Sequence, residues 1–312
     1  MAYAQGDPIL RDHYNTFATG SATGAANHAV ANINSVWGVG NGDKGYGQST
    51  VLTAVAAGDI ITAAQWSTLL ARLNTVLTHQ AGAGSGITSP VTGDIITYLS
   101  TLQTNVTNAY NNRANYSISG ATTTTNYSAT WNTATPTTFQ QARTITFGSA
   151  DAARYFFNSG GRITIGFSTT NAADTTKEQD WNTLLATNLG TLTFGWASST
   201  RSGTGGTVSI NGLGIGFWDL LSTDQTIIRL ASSTSAYTSN YVEVLAKISG
   251  TAGSNGGLGT TITFTINYND GVTDNFNDAI NFSITTAIGV IVPETTYLTD
   301  TWGTVTPAAT VN

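Results

Sequence analysis

The chain has 312 residues, enough for two ordinary domains that each bury a core without disulfides or metal. It contains no cysteine, which removes thiol catalysis, disulfides and thiolate metal sites together. Only 9% of its residues are charged, against about 25% in typical soluble domains, and 11 Lys and Arg under a formal net charge of -6 form no basic stripe for a phosphate backbone.

Thr, Asn, Ser, Gly and Ala fill the place of the missing charges. A neutral surface of hydroxyls and amides packs against neighbouring subunits without the desolvation cost of burying Lys or Glu. The opening MAYAQGDPILRDH has no basic stretch followed by a long apolar run, and no later apolar run is long enough to span a bilayer. Neither a signal peptide nor membrane insertion is expected, and direct nucleic-acid binding is not expected either.

Residues 1–57 read as an irregular docking segment. Their GVGNGDKGYGQS stretch carries Lys44 but no Gly-Lys-Ser/Thr leading into a helix, so it is a turn cluster and not a phosphate loop. Residues 58–113 begin an internal echo, because GDIIT at Gly58 recurs at Gly93, 35 residues on. After the first copy, Thr62 and Gln65 make a capping box, and Trp66, Leu69, Leu70, Leu73, Val76 and Leu77 fall at helical spacing. In the second copy Ile95, Leu99, Leu102, Val106 and Tyr110 step by three and four. The Gly, Ser and Pro-rich HQAGAGSGITSPVT between them reverses the chain, which predicts a helical hairpin. So small a pair needs a further partner, either copies of itself or the N-terminal segment.

Residues 114–142 have no charge and read as a neutral Thr-rich linker or an edge strand. From 143 to 292 the period changes to two. RTITFGS, RITIGFS, GTLTFGWAS, GTVSING, LGIGFWD, TIIRLAS, YVEVLAKISG, TITFTINY and AINFSITT all alternate or nearly so. Two short helices interrupt them, ADAARYFFNS and KEQDWNTLLATNLG. The fold class is therefore α+β: a helical hairpin region, then an antiparallel β-sandwich-like domain with two short helices, then a C-terminal tail at 293–312. In the first short helix Tyr155, Phe156 and Phe157 carry a large apolar surface, and Gly160 and Gly161 turn the chain back so that Ile163 enters the sheet core above them.

Candidate chemistry is sparse. His13, His28 and His79 stand near no nucleophile motif and no second His at metal-ligand spacing, and His79 reads as a dipole partner at a helix C-terminus. Asp270, Asp274 and Asp278 form a candidate calcium trio. The EF-hand order is absent, however, and the left-handed turn geometry of Asn-Asp-Gly accounts for the segment. Asp174, Glu178 and Asp180 have the look of glycosidase acids, but carboxylates in the first turn of the helix carrying Trp181 follow from the helix dipole. Trp131, Tyr127, Trp196, Trp218, Tyr237 and Tyr241 are aromatics that stack on sugars when exposed together and fill a core when not. No catalytic residue and no cofactor is assigned. The residues that matter by this reading are packing ones: Trp66, Leu69, Leu73, Leu99, Leu102, Val106, Tyr155, Phe156, Phe157, Gly160 and Gly161.

Over residues 140–290, ARYFFNSGGRITI, NTLLATNLGTLTFG, GLGIGFWDLLS, YVEVLAKISG and YNDGVTD resemble a pattern in virion structural proteins of tailed bacteriophages, especially those of cyanobacteria. The resemblance transfers no catalytic residue. It implies a tail, neck or fibre subunit that is not an enzyme, is assembled in the host cytoplasm, and has copies of itself and other virion proteins as partners. Two alternatives stay open: an adhesin that binds host surface glycans, and a capsid decoration protein.

Overall fold

A computed structural model describes residues 10–39, 45–133, 137–250, 259–272 and 278–310. The fold is α+β, with helices leading the chain and two antiparallel sheets following. Lys44 and Asp274 lie outside the described residues. The chain divides into two compact units, one made of residues 1–120, 154–160 and 293–301 and the other of 121–153, 161–292 and 302–312.

The first unit is helical. Its N-terminal part is not irregular, as the sequence led us to expect, but holds α1 (Arg11–Thr19) and α2 (Ile33–Trp37). α1 ends at Gly20, whose φ of 84° is open to glycine and strained for other residues. Asn32 caps α2, its side chain accepting a 2.9 Å bond from the Ser35 amide. The hairpin follows as α3 (Ala63–Ala81) and α4 (Leu99–Asn111). The Thr62–Gln65 capping box forms as read from the sequence. The second GDIIT copy behaves differently: α4 starts at Leu99 with no side-chain cap, leaving Ile95 exposed before the helix and Ile96 buried in its stead.

Trp66, Leu69, Leu73, Leu99, Leu102 and Val106 are all buried. Tyr14 and Phe17 of α1 meet the Trp66 ring edge-on at 5.6 and 6.4 Å. Of the two partners open to the hairpin, the unit supplies the N-terminal helices, so the hairpin's apolar stripes give no separate argument for self-association.

Side-chain amides do much of the internal fastening. Asn15 both donates to the Val55 carbonyl at 3.0 Å and accepts from its amide at 2.9 Å. Asn34 does the same with Leu52, at 2.8 Å each way, and Gln48 with Thr299, at 2.8 and 2.9 Å. Each imitates one rung of a sheet ladder and gives both backbone groups of a loop residue a partner. Through Gln48, the segment at 293–301 belongs to this unit's framework and is no loose tail.

The second unit is a sandwich. One sheet has the order β1-β10-β3-β4-β5 and the other β11-β2-β9-β8-β7-β6. The first is built of β1 (Ser119–Thr133), β3 (Arg162–Thr170), β4 (Leu192–Phe194), β5 (Ser199–Arg201) and β10 (Ile280–Pro293). The second is built of β2 (Thr138–Thr146), β6 (Thr207–Asn211), β7 (Gln225–Ala231), β8 (Tyr241–Ile248), β9 (Thr261–Asn269) and β11 (Thr306–Thr310). Alternation does the work in the core: Ile262, Phe264, Ile266 and Tyr268 of β9 are buried while the residues between them are half-exposed. Phe194 meets Phe264 edge-on at 5.2 Å across the sheets. Trp131 packs among Phe139, Trp181, Tyr268 and Phe282 within 6.3 Å.

Three expectations are decided here, two of them as corrections. Of the two readings of 114–142, linker or edge strand, the structure takes the second: the stretch is largely β1, an edge, and the start of β2, its inward residues Tyr127, Ala129 and Trp131 serving the sandwich. LGIGFWD is not a strand: it turns and closes in a short 3-10 helix at Phe217–Asp219, because its two glycines, Gly214 and Gly216, give the ladder little to hold. The tail expected at 293–312 buries Trp302 and adds β11 to the edge at β2.

The helices of this region are α5 (Ala150–Asn158) and α6 (Thr176–Asn182), the latter continuing into a wider π-helical stretch at Thr183–Leu189. Gly190, with φ 65°, stops it where a Cβ would strike the Gly203 backbone.

Candidate functional site

The aromatic helix ADAARYFFNS is α5. Phe156 and Phe157 are fully buried and cross edge-on with centroids 5.0 Å apart. Residues 154–160, which carry both rings, belong to the helical unit, and Ile163 belongs to the sheet unit. Within that unit the Tyr155 ring lies against Gly47, whose missing Cβ makes the room, and Asn158 donates to the Gly45 carbonyl at 3.0 Å. Gly160 has φ 91° and abuts the Tyr116 ring, so both its backbone and its surroundings demand glycine. Gly161 is not left-handed.

Of the acidic trio, Asp270 and Asp278 lie among the described residues. Asp270 is held by Lys177, Nζ to Oδ2 3.1 Å, with both side chains sealed from solvent at 0% and 1% exposure. Its other oxygen accepts the Val272 amide at 3.4 Å. Asp278 is exposed, and no cluster of three metal-ligating side chains exists among the described residues. The left-handed turn read into Asn-Asp-Gly is also corrected: Gly271 does not have positive φ, and glycine is required there because a Cβ would sit 2.6 Å from the Ser239 carbonyl.

The second carboxylate set is equally committed. Glu178 closes a capping box with Thr175 and accepts the amides of Asp174, Thr175 and Asn281. Asp180 is not a cap: it is buried and accepts from the Ser232 hydroxyl at 2.8 Å, burial raising its pKa against the opposing hydroxyl bonds of Thr234 and Ser232. Both carboxylates are buried, whereas a glycosidase pair faces its substrate across a cleft.

His79 is buried in the last turn of α3, edge-on to Tyr46 at 5.3 Å. Burial lowers its pKa to about 4, against a backbone bond to Ser159 and the charge of Glu294, so at neutral pH it is uncharged and not the dipole partner expected. Its folded value lies below the ordinary 6.5. The unfolded chain therefore binds the extra proton, and stability is lost as pH falls from about 6.5 toward 4, by roughly 3 kcal/mol. Denaturant melts across that range should show the slope in the wild type and its flattening in His79→Leu. An equal slope in both would assign the acid sensitivity to other groups. His28 bonds Ser35 through Nδ1 at 2.9 Å, and His13 lines a groove between α1 and α4.

Of the aromatics, Trp196 and Trp218 form a tilted pair 5.3 Å apart, pinned by the Trp218 amide on the Trp196 carbonyl. Both are half-buried, as is Tyr241, which is covered by Arg229 at 4.7 Å while that guanidinium holds Glu243 at 2.8 Å. Trp131 and Tyr237 are buried, and Tyr127 lies under Arg143 at 5.2 Å. None of the six is fully exposed.

The feature that sequence reasoning missed is the internal use of charge. Arg143, Lys177, Glu178, Asp180, Glu243 and Asp270 are buried out of a set of only 11 basic and 17 acidic side chains. Arg143 bonds the Thr286 hydroxyl at 2.5 Å and Gln141 at 2.8 Å between the two sheets. Its place on a strand of alternating apolar residues was the only signal available. Comparison with protein-family models, with curated proteins and with solved structures finds no match for this chain.

Proposed function

We propose that the protein is a structural subunit of a tailed-phage virion, a tail, neck or fibre component that self-associates and docks to the particle. One observation carries the proposal: a chain already poor in charge sinks six of its Lys, Arg, Asp and Glu side chains, leaving a surface rich in hydroxyls and amides. Such a surface is covered by neighbours at small desolvation cost. The resemblance over residues 140–290 supports the same reading. No described helix is long and apolar enough to cross a membrane. Immunogold labelling of intact particles with an antibody to this chain should decorate a fixed position on each virion. Labelling confined to cell lysate, with none on purified particles, would overturn it.

A further inference from the structure

We infer that β1 is a self-pairing edge, along which a second copy of the chain adds its own β1 antiparallel and extends the sheet across a two-fold axis. This rests on the proposed self-association and names the surface responsible for it.

The two sheets present four edges, and three are protected in the ways that keep edges from pairing. β5 has three residues. β6 has five and breaks register between Val208 and Ile210. β11 has five and includes Pro307, which has no amide hydrogen to donate. β1 has 15 residues, with no proline and no charge along its length.

β10 lies on one side of β1, where Ser128 meets Thr285 and Thr130 meets Ser283 in an antiparallel run. No strand lies on the other side among the described residues. The outward side chains Thr122, Thr124, Asn126, Ser128 and Thr130 are exposed.

A second copy fits this edge by chemistry. A two-fold pairing that keeps the inward residues on one face sets outward Thr, Ser and Asn opposite one another. These are favourable cross-strand pairs without like-charge repulsion. From Ala121 to Asn132 the edge runs about 40 Å and offers about 12 ladder hydrogen bonds. That alone matches the roughly 10 direct bonds of a typical stable interface.

The native chain has no cysteine, so single cysteines report without background. Thr122, Thr124, Asn126, Ser128 and Thr130 are each replaced by Cys in the full-length chain, with Thr207→Cys on β6 as control. Under mild oxidation, disulfide dimers should peak at one or two adjacent β1 positions near the axis, where Cα atoms approach within about 7 Å, and be absent in the control.

In sedimentation, Thr124→Lys with Asn126→Lys should weaken the dimer at least tenfold while the thermal melt of the monomer is unchanged. Mixing with Thr124→Glu, Asn126→Glu chains should restore it. Dimers that survive the lysines and cross-link elsewhere overturn the edge assignment and leave self-association standing. A wild-type chain that stays monomeric at 100 µM without cross-links overturns both. Pairing at β1 in a protein absent from particles upholds the edge and sinks the virion reading.

Discussion

Asp270→Ala is expected to destabilise the sandwich unit by about 3 to 5 kcal/mol, one of the two largest single-residue effects in the chain. The carboxylate meets Lys177 at 3.1 Å with neither side chain open to water, so its removal strands an ammonium in the interior. The pair itself is worth far less than that loss, because taking both charges out of water cancels most of their attraction. Lys177→Met combined with Asp270→Leu should therefore return stability to within about 1 kcal/mol of the wild type, or exceed it. Urea melts of the single and double variants measure both. A single variant no weaker than the double would mean that water reaches the ammonium.

Phe157→Ala is expected to cost about 3 to 5 kcal/mol, and Phe156→Ala a similar amount. Each ring is fully enclosed and each is the other's edge-on neighbour, so the two losses should not add. Because residues 154–160 belong to the helical unit, hydrogen exchange should show the loss of protection in α3 and α4 before β8 and β9. Loss in the strands first would return α5 to the sheet, where the sequence had placed it.

Period-two alternation located β7, β8 and β9, and helical spacing located α3 and α4, because burial on one face leaves a mark at every second or every third and fourth residue. β1 reads as either linker or edge strand because its outward residues and much of its length are polar, so Ser119–Thr133 also has the composition of a connector. That Tyr155, Phe156 and Phe157 belong to the helical unit was hidden from the sequence for a different reason. Sequence shows that three rings must be buried, but not by what, and the notch that admits Tyr155 is a single glycine, Gly47, more than a hundred positions upstream. The same holds for Asn15, Asn34 and Gln48, whose two-way backbone bonds span long separations and leave no local pattern. The neutral amides inferred to coat the exterior thus serve the interior as well.

The route of the chain between its two units has a practical corollary. It enters the sandwich at 121, leaves it for residues 154–160, re-enters at 161, departs again for 293–301 and finishes on β11. No single protease nick or truncation therefore liberates either half intact, and a gene fragment ending at 120 lacks the two inserts that complete its framework. Recombination between related genes would have to exchange the whole interlaced body at once.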